Sequence, residues 1–264
     1  DYIAQCNAQG FYPALYYPHN IHFLWASASM EGRSQVAMEA GRKVAANVRL
    51  EQVREYPTVE FFQTLPLLSL VRFAYWDDIL AEPQPAEELE FSNAIWHYAR
   101  AVAQARKGNI DAAESELTAM QPLMDNEAIY FLDGNDYPAS QILAIANHLG
   151  TGELAQARGD WTTAIAAYRS AVAVQDQLPY TEPPFWYYPS RQSLGHALLQ
   201  SGDAAAAEVV YREDLSQYPR NGWSMLGLSL ALEQQGRSEE ATAMRQRFEA
   251  VWARADVTLA SSVL

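Results

Sequence analysis

A turn signal recurs along this chain and limits what it can fold into. Each copy is a glycine or alanine, followed by a polar residue and then by a small residue. The markers are Gly32, Ala74, Gly108, Gly159, Gly202 and Gly236, separated by 42, 34, 51, 43 and 34 residues. A glycine can close a helix in the left-handed conformation that a side chain resists. Ser34, Asp111, Asp203 and Ser238 stand where a side-chain oxygen can accept the first free amides of the next helix, and Asp111 with Glu114 has capping-box spacing. Ala37, Ala113, Ala164, Ala207 and Ala241 fall five residues after their markers, where a small side chain lets two helices approach closely. The pattern predicts helix turns within about three residues of each marker and no β-sheet.

Two of the spacings equal 34 residues, and the others exceed it by 8, 17 and 9. Gly152, Gly159, Trp161, Ala164, Tyr168 and Ala171 occupy one register; Leu194, Gly195, Gly202, Ala207, Tyr211 and Pro219 repeat it, and Leu228, Gly236 and Ala241 follow. The earlier units are weaker: Trp76 and Leu80 follow Ala74, where a glycine is expected, and Pro83 and Pro85 cut the second helix short. These units resemble the tetratricopeptide repeat. The resemblance implies an all-α fold, a right-handed superhelical solenoid of antiparallel helix pairs, with five or six pairs in a single domain over 1–264. Four stretches extend it: 16–24 (YYPHNIHFL), 70–80 (LVRFAYWDDIL), 178–195 (LPYTEPPFWYYP, then RQSLG) and 252–259 (WARADVTL). In them the chain resembles a bacterial family of tetratricopeptide proteins, which implies a solenoid and no named reaction. Tyr2, Ile3 and Cys6 read as the tail of a helix already in progress, so a missing upstream part is expected. Val251, Trp252, Val257 and Leu259 are expected to fold back as a cap.

The formal net charge is −14, and lysine occurs only at Lys43 and Lys107. Such a field repels phosphate backbones and anionic lipid, so neither nucleic acid nor membrane is an expected partner. No apolar run approaches the roughly 18 residues that span a bilayer. Cys6 is the one cysteine, so compartment is left open. No catalytic signature is present: Cys6 has no sequence-near partner, no serine sits in a GxSxG elbow, and phosphate-binding glycine loops are lacking. Asp77, Asp78, Glu239 and Glu240 suit helix starts by favouring the dipole. No cofactor is expected.

The segment from Leu178 to Pro189 is an insertion that a 34-residue repeat does not need. It is stiffened by prolines and carries Tyr180, Phe185, Trp186, Tyr187 and Tyr188 beside Glu182, with Arg191 just beyond. Either it braces neighbouring helices or it forms one wall of a ligand or partner site. Asn20 suits an N-cap of a helix starting at Ile21; if the helix begins one residue earlier, His19 and His22 could share a face and, with a third ligand such as Glu182, hold a metal. His97, His148 and His196 lie in first helices of successive pairs, and only His196 points into the inner groove. The groove positions Glu153, Gln156, Gln192, His196, Gln200, Trp223, Glu233 and Gln234 make a polar, slightly acidic wall without cations, unsuited to clamping a carboxylate tail. Three functions follow: a scaffold holding a protein or peptide in the groove, a small-ligand or metal pocket under the insertion, or head-to-tail self-assembly through the solenoid ends.

Overall fold

The computed structural model describes residues 17–264, so Tyr2, Ile3, Cys6 and Tyr16 lie outside the described residues. The described chain is all-helical. Its elements are α1 (Tyr17–Met30), α2 (Ser34–Asn47), α3 (Leu50–Glu55), a 3-10 segment (Pro57–Thr64), α4 (Leu65–Arg72), α5 (Trp76–Ala81), α6 (Glu90–Arg106) and α7 (Ile110–Met124). They continue with α8 (Glu127–Asp133), α9 (Ala139–Ala157), α10 (Trp161–Gln175), α11 (Arg191–Gln200), α12 (Ala204–Gln217), α13 (Gly222–Gln234) and α14 (Ser238–Trp252). Six tightly connected pairs result: α1/α2, α4/α5, α6/α7, α9/α10, α11/α12 and α13/α14. The extra residues of the long spacings form α3 and the 3-10 segment, α8, and the stretch between α10 and α11.

All six markers close the first helix of a pair, and all six have positive φ, from 61° at Ala74 to 90° at Gly202. The geometry is the same each time. The amide after the marker donates to the carbonyl five residues back at 2.9–3.0 Å, as Asn109 does to Gln104 and Tyr75 to Leu70. That bond satisfies a carbonyl the helix end would otherwise leave free. The residue five past the marker then makes the first bond of the second helix, donating at 3.0 Å to the carbonyl four residues back. Ala37, Ala113, Ala164, Ala207 and Ala241 are buried there, and Ile79 takes that place after Ala74.

The small-against-large logic inside each pair is explicit. A Cβ on Gly152 would stand 2.3 Å from the Tyr168 ring, and one on Gly195 would stand 2.4 Å from that of Tyr211. Each glycine is therefore the floor on which its partner tyrosine lies, and both tyrosines are fully buried.

The caps differ from expectation at three of four positions. Asp203 caps α12, accepting from Ala206 N at 3.0 Å. Asp111 and Ser238 lie inside their helices, one or two residues past the caps Asn109 and Arg237. Glu114 pairs with Arg158 at 2.6 Å instead of closing a capping box. Ser34 is likewise the first residue of α2, and its cap comes from far along the chain: Ser34 N and Gln35 N donate to the Asp256 carboxylate at 2.6 and 3.1 Å. The acidic pairs do sit in first turns, Asp77 and Asp78 on α5, Glu239 and Glu240 on α14.

That remote cap belongs to a larger closure. Trp252 folds over Gly32 and Gly222, the Trp223 indole donates to Ser29 O at 3.3 Å, and Asp256 N donates to Gly32 O at 3.1 Å. Leu259 is buried and Ser262 donates to Gln192 O at 2.9 Å. The C-terminal fold-back thus occurs, but it joins the last pair to the first. The described first pair is covered there rather than left as an open apolar end.

Candidate functional site

The insertion between α10 and α11 is pinned at its base by polar bonds. Gln175 spans it, donating to Tyr188 O at 3.1 Å and accepting from Ser190 N at 2.7 Å. Arg191 grips Asp176 with two bonds of 2.6 and 2.7 Å and reaches Glu213 at 3.4 Å. Asp176 holds the Arg191 guanidinium above its usual range. Arg191 thus staples the loop and also lines the open cleft beside it.

Beyond this base the segment splits in two. Trp186, Tyr187 and Tyr188 are largely buried, with Trp186 touching the larger of two clefts beside the segment and all three rings lining the floor of the smaller one. The Trp186 ring meets Tyr98 edge-on at 5.6 Å, and the hydroxyls of Tyr98 and Tyr187 are 2.9 Å apart. The Tyr188 hydroxyl is 2.9 Å from Ser193 Oγ, and burial pushes its pKa up to about 12. These three rings are the brace. Gln192 and Trp223, placed on the groove wall by the repeat register, are buried with them, as is Glu153; Gln200, Glu233 and Gln234 stay exposed.

The other half faces out. Tyr180 is 87% exposed and its hydroxyl donates to Glu182, which raises the phenol pKa. The Glu182–Pro183 bond is cis. Leu178, Tyr180, Pro184, Phe185 and Tyr218 line an open cleft of ≈620 Å³ between this half-loop and the ends of α10 and α12. A second cleft, of ≈380 Å³, lies on the other side of the same prolines against Phe23 and Met30 of α1.

His19 and His22 share α1, which begins at Tyr17, so Asn20 is an interior helical residue and not a cap. His22 is buried among Trp25, Phe61 and Phe62. Burial, with His19 nearby, lowers its pKa to about 3. Among the described residues no group of three or more His, Cys, Asp or Glu is arranged to hold a metal, around His19 and His22 or elsewhere. His97 is bonded to Glu116 at 2.7 Å. His196 does face inward: burial and then Arg106 lower its pKa to about 4, and its Nδ1 has no partner.

The interior also holds cations that the sequence reading missed. Arg72 stacks on Trp223, 3.5 Å from the ring centroid, and its Nη1 donates to Gln192 Oε1 at 2.8 Å. Arg106 forms an ion pair with Glu153 at 2.5 Å. Neither arginine is in the later repeats, where the groove wall was read. The available signal was local: Arg72 is the single charge in the otherwise apolar run from Leu65 to Phe73. No described helix is long and apolar enough to cross a membrane. No protein-family model and no curated protein matches the chain.

Proposed function

We propose that this chain is a tetratricopeptide-type solenoid, a right-handed superhelix of helix pairs, whose role is to bind a partner peptide. The recognition surface in this reading is the outward half of the insertion, with the groove taken up by the inward half. The observation that carries it is the split at Phe185. Three rings anchor the segment in the core, while a proline-stiffened half presents Tyr180, Glu182 and Phe185 around the ≈620 Å³ cleft. A loop held this rigidly loses little entropy on binding, and exposed tyrosine supplies contact area at low ordering cost. The net charge of −14 favours a peptide with apolar residues flanked by lysine or arginine. Head-to-tail assembly has less support, since the faces joined by Trp252 and Asp256 are turned on each other.

The cleft also falls within the volume range of small-molecule sites, and that second reading shares the same wall. Display of random dodecapeptides against the wild-type chain, with Tyr180→Ser/Phe185→Ser as counter-selection, tests the proposal. Enrichment of basic–apolar peptides that the double variant no longer binds supports it. Enriched peptides that bind both proteins equally, or no enrichment at all, overturn it.

A further inference from the structure

We propose that the interior of the molecule contains a binding site for one small carboxylate, held by the unpartnered edge of Arg72. The argument starts from what surrounds that guanidinium. Arg72 ends α4 and is 6% exposed. Trp223 covers one of its faces, the Tyr188 ring centroid lies 5.0 Å away, and Nη1 is bonded to Gln192. Nε and Nη2 have no hydrogen-bond partner, and among the described residues no carboxylate forms an ion pair with this cation. Asp214, the acid that acts on it from a distance, accepts from Asn221 and Ser224 through Oδ2 and forms no bond with Arg72. Burial lowers the Arg72 pKa only to about 10, so the group is charged at neutral pH. Nearly every buried charge in a folded protein is paired, and this one is not.

Beside it lies space of a fitting size. Arg72, Arg106, Glu153, Tyr98 and Ser193 line a cavity of ≈40 Å³, rimmed by Trp76, Val263 and Leu264. At about 10–15 Å³ for one water in this measure, the cavity takes about three atoms' worth of ligand, which suits formate and the head of acetate. The charge balance points the same way. In the cavity lining Glu153 pairs with Arg106, and Arg72 is the cation without a bonded carboxylate, so a monoanion suits it better than a phosphate dianion. The Nε and Nη2 edge of an arginine presents two parallel N–H donors, which match the two oxygens of a carboxylate and not a monatomic ion.

The site also has a place in the architecture. Arg72 comes from the second helix pair, Gln192 from the fifth and Trp223 from the sixth, and the rim belongs to the C-terminal segment that Ser262 ties to Gln192. A carboxylate bound there joins units distant in sequence and holds the closed form together. This goes beyond the peptide surface proposed above and uses none of its outward residues.

Calorimetric titration of the full chain with sodium formate, sodium chloride and sodium phosphate, at constant ionic strength in HEPES, tests the inference. The expected result is saturable formate binding at one per chain, with chloride and phosphate at least tenfold weaker. Arg72→Lys keeps the charge but loses the fork, and should weaken formate at least tenfold. Val263→Asp sets a like charge at the rim without touching the core, and should do the same if Arg72→Lys fails to fold. Formate binding no tighter than chloride, no saturable binding, or full affinity in a folded Arg72→Lys or Val263→Asp chain would overturn the proposal.

Discussion

Ala74 is the one alanine among six turn positions that are otherwise glycine, and replacing it isolates the backbone term. Its φ is 61°, in the left-handed region where its five counterparts lie at 70° to 90° without a side chain. Holding a non-glycine residue there costs about 1–2 kcal/mol. Ala74→Gly removes that cost but adds the greater freedom of glycine in the unfolded chain, about 0.5–1 kcal/mol. Ala74 is only partly buried and its methyl is not part of the core, so little packing is lost. The net expectation is a gain of roughly 0.5–1 kcal/mol. Gly202→Ala is the mirror experiment. A Cβ at Gly202 meets nothing within 4 Å, so its loss, of about the same size, is purely conformational. Urea unfolding followed by far-UV circular dichroism reads both. The midpoint should rise for Ala74→Gly and fall for Gly202→Ala, with the slope m unchanged. If Ala74→Gly fails to stabilise while Gly202→Ala destabilises, the two turns are not equivalent and the shared-geometry argument fails.

Gly152→Ala should destabilise by about 1–3 kcal/mol, because its Cβ would stand 2.3 Å from the buried Tyr168 ring; the double variant with Tyr168→Leu should recover part of that loss in thermal unfolding. Asp256→Ala should cost about 1 kcal/mol, as loss of a helix cap does, and hydrogen exchange at Ser34 and Gln35 should quicken while exchange in α9 does not. Asp214 has its carboxyl pKa raised from 3.8 to about 6 by burial, against the pull of Ser224 and Asn221. The folded state therefore holds this proton more tightly than the unfolded state, and the stability it confers at low pH is lost as pH rises through that window, by up to about 1.4 kcal/mol per pH unit. Asp214→Asn lacks the proton, so its stability should gain on wild type between pH 4 and 6 in urea titrations; parallel profiles would refute the assignment.

The turns were legible because each is fixed by a local rule. A glycine that must adopt positive φ and an alanine where two helices meet leave marks within six residues of one another. Gly152 with Tyr168 and Gly195 with Tyr211 were legible for the same reason, since each pair lies inside one repeat. Caps were less so: a serine or aspartate near a helix start can fall one or two residues past the cap, as Ser238 and Asp111 do. For α2 the capping group, Asp256, is 222 residues away from Ser34, beyond any local pattern.

The candidate site was hidden by that same distance. A repeat register says which residues of a helix share a face, but not which distant pairs come together. Here Trp252 of the last pair covers Gly32 of the first, and that closure changes what the shared faces meet. Gln192, read as groove wall, meets Arg72 from another pair; Trp186 and Tyr187, read as a wall for a ligand, also meet Tyr98 and are largely buried. The burial that removes those residues from solvent also leaves Arg72 charged without a carboxylate partner. In the functional reading proposed above, peptide recognition falls to the outward half-loop around Tyr180, while the interior keeps a cavity of ≈40 Å³ beside Arg72, of a size for a small carboxylate.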